Sequence, residues 1–122
     1  MKMILPGVKE RRSIDHKLSK FFREHQAEDF QAAVRSLCQY YDLKPPKVEW
    51  FEYIDYGKTA GETYENGNIG LVHPQFWVRG KKRSTERGWI NLVYHELGHF
   101  IFWADAETKA NAFALKMVRG LK

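Results

Sequence analysis

His95-Glu96-Leu97-Gly98-His99 is the stretch of this 122-residue chain whose residue types and spacing could do chemistry. Two histidines four residues apart on a helix stand one turn above each other on the same face. Neutral imidazoles so placed can hold one zinc ion at ~2.0–2.1 Å each. Glu96, beside the first histidine, reaches toward the open position of such a metal rather than the metal itself. There a carboxylate can take a proton from bound water, whose pKa zinc lowers, and later pass it to a leaving amine. Two ligands do not complete a catalytic zinc site, so a third must come from elsewhere in the fold. Asp105 and Glu107, just beyond the next turn, are the nearby carboxylates.

The run HELGHF, followed by Glu107-Thr108-Lys109-Ala110-Asn111-Ala112-Phe113-Ala114, resembles the ImmA/IrrE-type metallopeptidases. In that family an HExxH helix is followed by a helix with the pattern E-x-x-A-N-x-F-A. The likeness covers the last two helices closely, and the helix–strand–hairpin order before them is similar to the family's core. It implies a minimal zincin-like domain that hydrolyses peptide bonds with Zn2+. It also implies His95, His99 and Glu107 as metal ligands and Glu96 as catalytic base. Asp105 remains the rival third ligand, with a competing use as the cap of the final helix. Some family members cleave transcriptional repressors, so the implied substrate is a protein or peptide, a regulator among them. Asn111, one turn after Glu107, either accepts the second N–H of a zinc-bound histidine, fixing its tautomer, or is an exposed helix residue. Tyr56, Tyr64 and Tyr94 are candidates to steady an oxyanion.

These residues need elements to position them. Leu18, Phe21 and Phe22 predict a helix over 13–24. A second spans 27–41, with Phe30, Ala33, Val34, Leu37 and Tyr41 on one stripe. Pro45-Pro46 ends it and leads into an aromatic, β-branched strand over 48–53. Strands over 61–65 and 69–72 flank Asn66-Gly67, a hairpin signal because both residues tolerate the positive φ of a tight primed turn. After His73-Pro74 and a basic loop, Ser84 or Thr85 caps the motif helix, which runs to Trp103 with Ile90, Val93, Leu97, Phe100 and Ile101 on its apolar face. Gly98 lets the last helix (106–119) come close, an Ala110 contact being the expected one. That helix buries Ala110, Phe113, Ala114 and Met117. The fold class expected is α+β: N-terminal helices, a small three-stranded antiparallel sheet with a hairpin, the active-site helix and a C-terminal helix. Residues 1–122 form one domain, with 1–12 a candidate flexible segment.

Hydrophobic residues at 43% and aromatics at 15% supply a core for such a domain and argue against extensive disorder. The longest apolar run, Phe100 to Ala104, is far short of the ~20 residues that cross a bilayer, and Pro6 and the charges after it interrupt any signal-peptide core. Cys38 has no second cysteine to pair with and fits a helix face as a small hydrophobe, so a reducing, cytoplasmic setting without membrane partners is expected. The net charge of +5 gathers in two places: Lys2, Lys9, Arg11, Arg12, Lys17, Lys20 and Arg23, then Arg79, Lys81, Lys82, Arg83 and Arg87. Both are solvated surface or a contact for nucleic acid. Two alternatives follow. A SprT-like protease acting on DNA-associated proteins shares the motif and the basic loops, but that group is expected to use a later histidine as third ligand, and none follows His99. A non-enzymatic nucleic-acid-binding module would need a structural zinc site closed by Cys and His at four positions, and the chain has one Cys. His16 and His25 read as surface residues, and His73 as a half-buried strand-end residue.

Overall fold

In the computed structural model the described residues are 4–52, 61–77, 85–102 and 107–121, with the side chains of Glu107 and Thr108 outside that set. The first two helices are α1 (Val8–Glu24) and α2 (Ala27–Tyr40). The stripes that drive them are the ones read from the sequence: Leu18, Phe21, Phe22, Phe30, Ala33, Val34 and Leu37 are all buried. Tyr41 is half-buried just past the end of α2. Helix α1 starts earlier than its apolar stripe suggests, taking in Val8–Arg12 of the segment set aside as flexible. Arg11 ties that start to the end of the chain. Its Nη1 lies 2.8, 3.2 and 2.7 Å from the carbonyl oxygens of Lys116, Met117 and Arg119, in the last turn where helix geometry runs out of i+4 N–H donors; Lys116 O also accepts the Arg119 N–H at 3.3 Å.

Three strands follow: β1 (Val48–Phe51), β2 (Gly61–Thr63) and β3 (Ile69–Val72). The expected hairpin is β2–β3, closed by Gly67 N–H to Tyr64 O (2.9 Å) and Tyr64 N–H to Asn68 O (2.8 Å). In this turn only Gly67 takes a positive φ, +89°, while Asn66 accepts the Asn68 N–H with its side chain. The loop is therefore one residue longer than the primed turn that Asn-Gly suggests, with glycine in the left-handed position that follows a type I turn.

The sheet is mixed rather than antiparallel. Strand order is β1-β3-β2, and β1 runs parallel to β3, with Val48 opposite Ile69 and Phe51 opposite Val72. A short turn forces its two strands antiparallel. Residues 52–68 separate β1 from β3, more than the roughly one dozen a parallel crossover needs. Among the described strands that leaves β3 central and wholly buried, with β1 and β2 at the two edges.

His73 and Pro74 end β3 and start a short helix, α3 (Pro74–Trp77), in which His73 Nδ1 accepts the Gln75 N–H at 3.1 Å. Proline at a first helical position was the available signal for it. Helix α4 (Glu86–Phe102) is capped by Thr85, whose Oγ1 accepts the Gly88 N–H at 3.1 Å; Ser84 lies outside the described residues. Ile90, Val93, Leu97 and Ile101 are buried as expected, with Phe100 half-buried against Gly67. Trp89, fully buried, donates its ring N–H to Val72 O at 2.9 Å and packs on Phe21, Phe22 and Phe30, joining α4 to the sheet and to both N-terminal helices. Helix α5 (Glu107–Val118) buries Ala110, Phe113, Ala114 and Met117, the stripe the sequence marks. Cys38 is a buried free thiol, pushed up to about 11 by burial, and packs as the small hydrophobe expected. Among the described residues no helix is long and apolar enough to cross a membrane.

Candidate active site

Helix α4 lies against the hairpin along one stripe. Leu92 and Glu96 face Gly61, and Phe100 faces Gly67 one turn further on. One position round the helix from Glu96, His95 and His99 are half-buried on the same face. Their Nε2 atoms stand 3.2 Å apart, with the rings close to perpendicular. Two nitrogens bound at ~2.0–2.1 Å to one tetrahedral cation would stand ~3.3–3.4 Å apart. The pair therefore fits a shared zinc, and at the same spacing one ring can also donate its N–H to the other.

Glu96 is 6% exposed, a carboxylate on an otherwise apolar, sheet-facing stripe. A buried carboxylate needs hydrogen bonds to offset its desolvation. One comes from β2: Thr63 Oγ1 is 2.7 Å from Glu96 Oε1 and 3.1 Å from the Glu96 carbonyl oxygen. Thr63 was not among the candidates read from the sequence. Its place two residues after Gly61 puts it on the same sheet face, but nothing in the pattern says that α4 crosses there.

Of the two candidate third ligands, Asp105 lies outside the described residues. Glu107 opens α5, three residues before Ala110, and its side chain is outside the description. The close helix contact expected at Gly98 is present: a Cβ on Gly98 would sit 3.2 Å from Ala110 Cα and 3.1 Å from Phe113 Cδ2. Among the described residues no group of three or more His, Cys, Asp or Glu side chains forms a metal-holding cluster. Asn111 lies exposed on α5.

The tyrosine candidates divide. Tyr94 is fully buried and turned to α1, where its hydroxyl donates to Asp15 Oδ1 at 2.9 Å; burial first, and then the Asp15 charge, push its pKa up. Tyr64 sits over Gly70, on the sheet face opposite Thr63, and Tyr56 is outside the described residues. His73 is half-buried among Phe21, Trp50 and His25, and His16 and His25 are exposed, as expected of all three.

Several of the clustered cations are engaged within the fold. Arg11 caps α5, Arg87 makes a two-pronged pair with Asp15 (2.9 and 3.3 Å), Arg23 pairs with Glu86, and Lys20 lies 3.9 Å from Asp29. Arg79, Lys81, Lys82 and Arg83 lie outside the described residues. Comparison with protein-family models, with curated proteins and with solved structures returned no match.

Proposed function

We propose that this chain is a zinc-dependent peptidase acting on a protein substrate in the cytoplasm, a regulator protein being the substrate class suggested by the motif's resemblance. The observation that carries the reading is the 3.2 Å approach of His95 Nε2 and His99 Nε2 beside a buried Glu96. His95 and His99 would hold the metal, with Glu107 as third ligand and Asp105 as its rival. Zinc, when bound, supplies Lewis acidity at an open coordination position and lowers the pKa of water there. The carboxylate of Glu96 takes the proton of the attacking water and returns it to the leaving amine. Among the described strands β2 is one of the two edges of the sheet, and it is the edge that lies beside Glu96, so an extended substrate segment pairing along it would be delivered to the histidines.

The test is metal analysis of protein purified without chelator, followed by a proteolysis assay with Glu96→Gln beside the wild type. About one zinc per chain is expected, lost in His95→Ala and in His99→Ala, each of which removes one of three protein ligands. Glu96→Gln is expected to keep the zinc and lose hydrolysis. A chain that takes up no zinc even when supplied would overturn the reading.

A further inference from the structure

We propose that Thr63 is a positioning residue: its hydroxyl fixes the carboxylate of Glu96 while its main chain faces the strand edge where an extended substrate would pair. The catalytic consequence rests on the peptidase reading above; the contact does not. Thr63 Oγ1 lies 2.7 Å from Glu96 Oε1, the separation of a charge-assisted O–H···O bond. Threonine is branched at Cβ and has few χ1 options, so its hydroxyl is a stiff anchor for a long, flexible glutamate. Gly61 holds the other end of the contact. A Cβ there would lie 3.0 Å from Glu96 Cγ and 2.9 Å from Leu92 Cδ1, so β2 presses directly on the stem of Glu96.

The hairpin's hydrogen bonding sets which way the Thr63 main chain points. Tyr64 donates its N–H to Asn68 O, and bonded and non-bonded pairs alternate along an antiparallel ladder. Thr63 opposite Ile69 is thus a non-bonded pair, and Ile69 gives its N–H to Lys47 O on the β1 side instead. The N–H and C=O of Thr63 therefore point away from β3, toward the outer edge. One residue joins the edge that would dock a substrate strand to the base that would act on it. Pairing along β2 would hold the Thr63 backbone, and with it the orientation of Glu96.

The experiment compares wild type, Thr63→Val and Thr63→Ser as zinc-loaded full-length chains, with fluorescein-labelled casein as the probe. Valine keeps the shape and removes the hydroxyl; serine restores it. Thr63→Val should lower kcat about tenfold or more, with KM within about twofold and zinc content unchanged, while Thr63→Ser returns to within about threefold of wild type. Melting of the metal-free chain gives a readout free of activity. Thr63→Val should lower Tm by about 3–6 °C, and by less than half as much in a Glu96→Ala background. Wild-type turnover by Thr63→Val, or equal Tm losses in the two backgrounds, would overturn the proposal. If wild type itself leaves casein intact, the peptidase reading loses support, and the melting cycle alone decides the role of Thr63.

Discussion

Gly98→Ala probes whether α4 and α5 meet as closely as the zinc site requires. The added Cβ would lie 3.1 Å from Phe113 Cδ2, 3.2 Å from Phe113 Cβ and 3.2 Å from Ala110 Cα. Carbon pairs prefer ~3.5–4.0 Å, so a few tenths of an ångström must open at each contact. Phe113 is fully buried and Ala110 Cα is main chain, so the room has to come from moving α5 as a body. Overpacking of this kind costs about 1–3 kcal/mol, and with no flexible side-chain end to yield, the upper half of that range applies. Replacing glycine inside a helix returns about 0.8–1 kcal/mol. The net is a loss of about 1–2 kcal/mol, or roughly 3–10 °C in Tm for a domain of this size. Urea unfolding of the metal-free chain measures it. A zinc titration of the same variant should show weakened binding, because α5 carries Glu107 three residues before Ala110. A Gly98→Ala chain more stable than wild type by the full helix-propensity gain would refute the reasoning, since it would mean the helices do not touch there.

Three further outcomes are expected. Glu107→Ala should weaken zinc binding by at least ~10–100-fold, whereas Asp105→Ala should cost about 0.5–2 kcal/mol of stability with zinc affinity nearly intact; paired titrations with the opposite result would reverse the ligand assignment. Arg11→Ala should destabilise the chain by about 1–3 kcal/mol in urea, because the carbonyls of Lys116 and Met117 in the last turn of α5 and of Arg119 just past it lose a charged donor, and amide exchange over 116–119 should speed up. Burial, and then the neighbouring His25, hold the pKa of His73 below its ordinary value of 6.5. The unfolded chain therefore takes that proton first, and stability present above about pH 6.5 should fall as pH drops through the lowered folded value and then level off. The Tm difference between wild type and His73→Gln should track this window, and a pH-independent difference would count against it.

What could be read from the sequence was local. Helical periodicity alone places Ala110, Phe113, Ala114 and Met117 on one buried stripe, and the four-residue spacing of His95 and His99 makes their convergence a property of any regular helix. Gly67 announced its turn because few other residues tolerate that φ, although the type of turn depended on the flanking pairs. What only the tertiary structure decided lies between segments distant in the chain. The long connection 52–68 is compatible with either direction for β1, and the parallel pairing with β3 follows from which neighbour the strand finds. Arg11 reaches carbonyls more than a hundred residues away, and Thr63 meets Glu96 across 33 residues. No periodicity records such contacts, because each depends on how whole elements cross after their apolar faces are buried. The candidate chemistry is thus written into one helix, while the orientation of its base depends on a strand that only packing brings beside it.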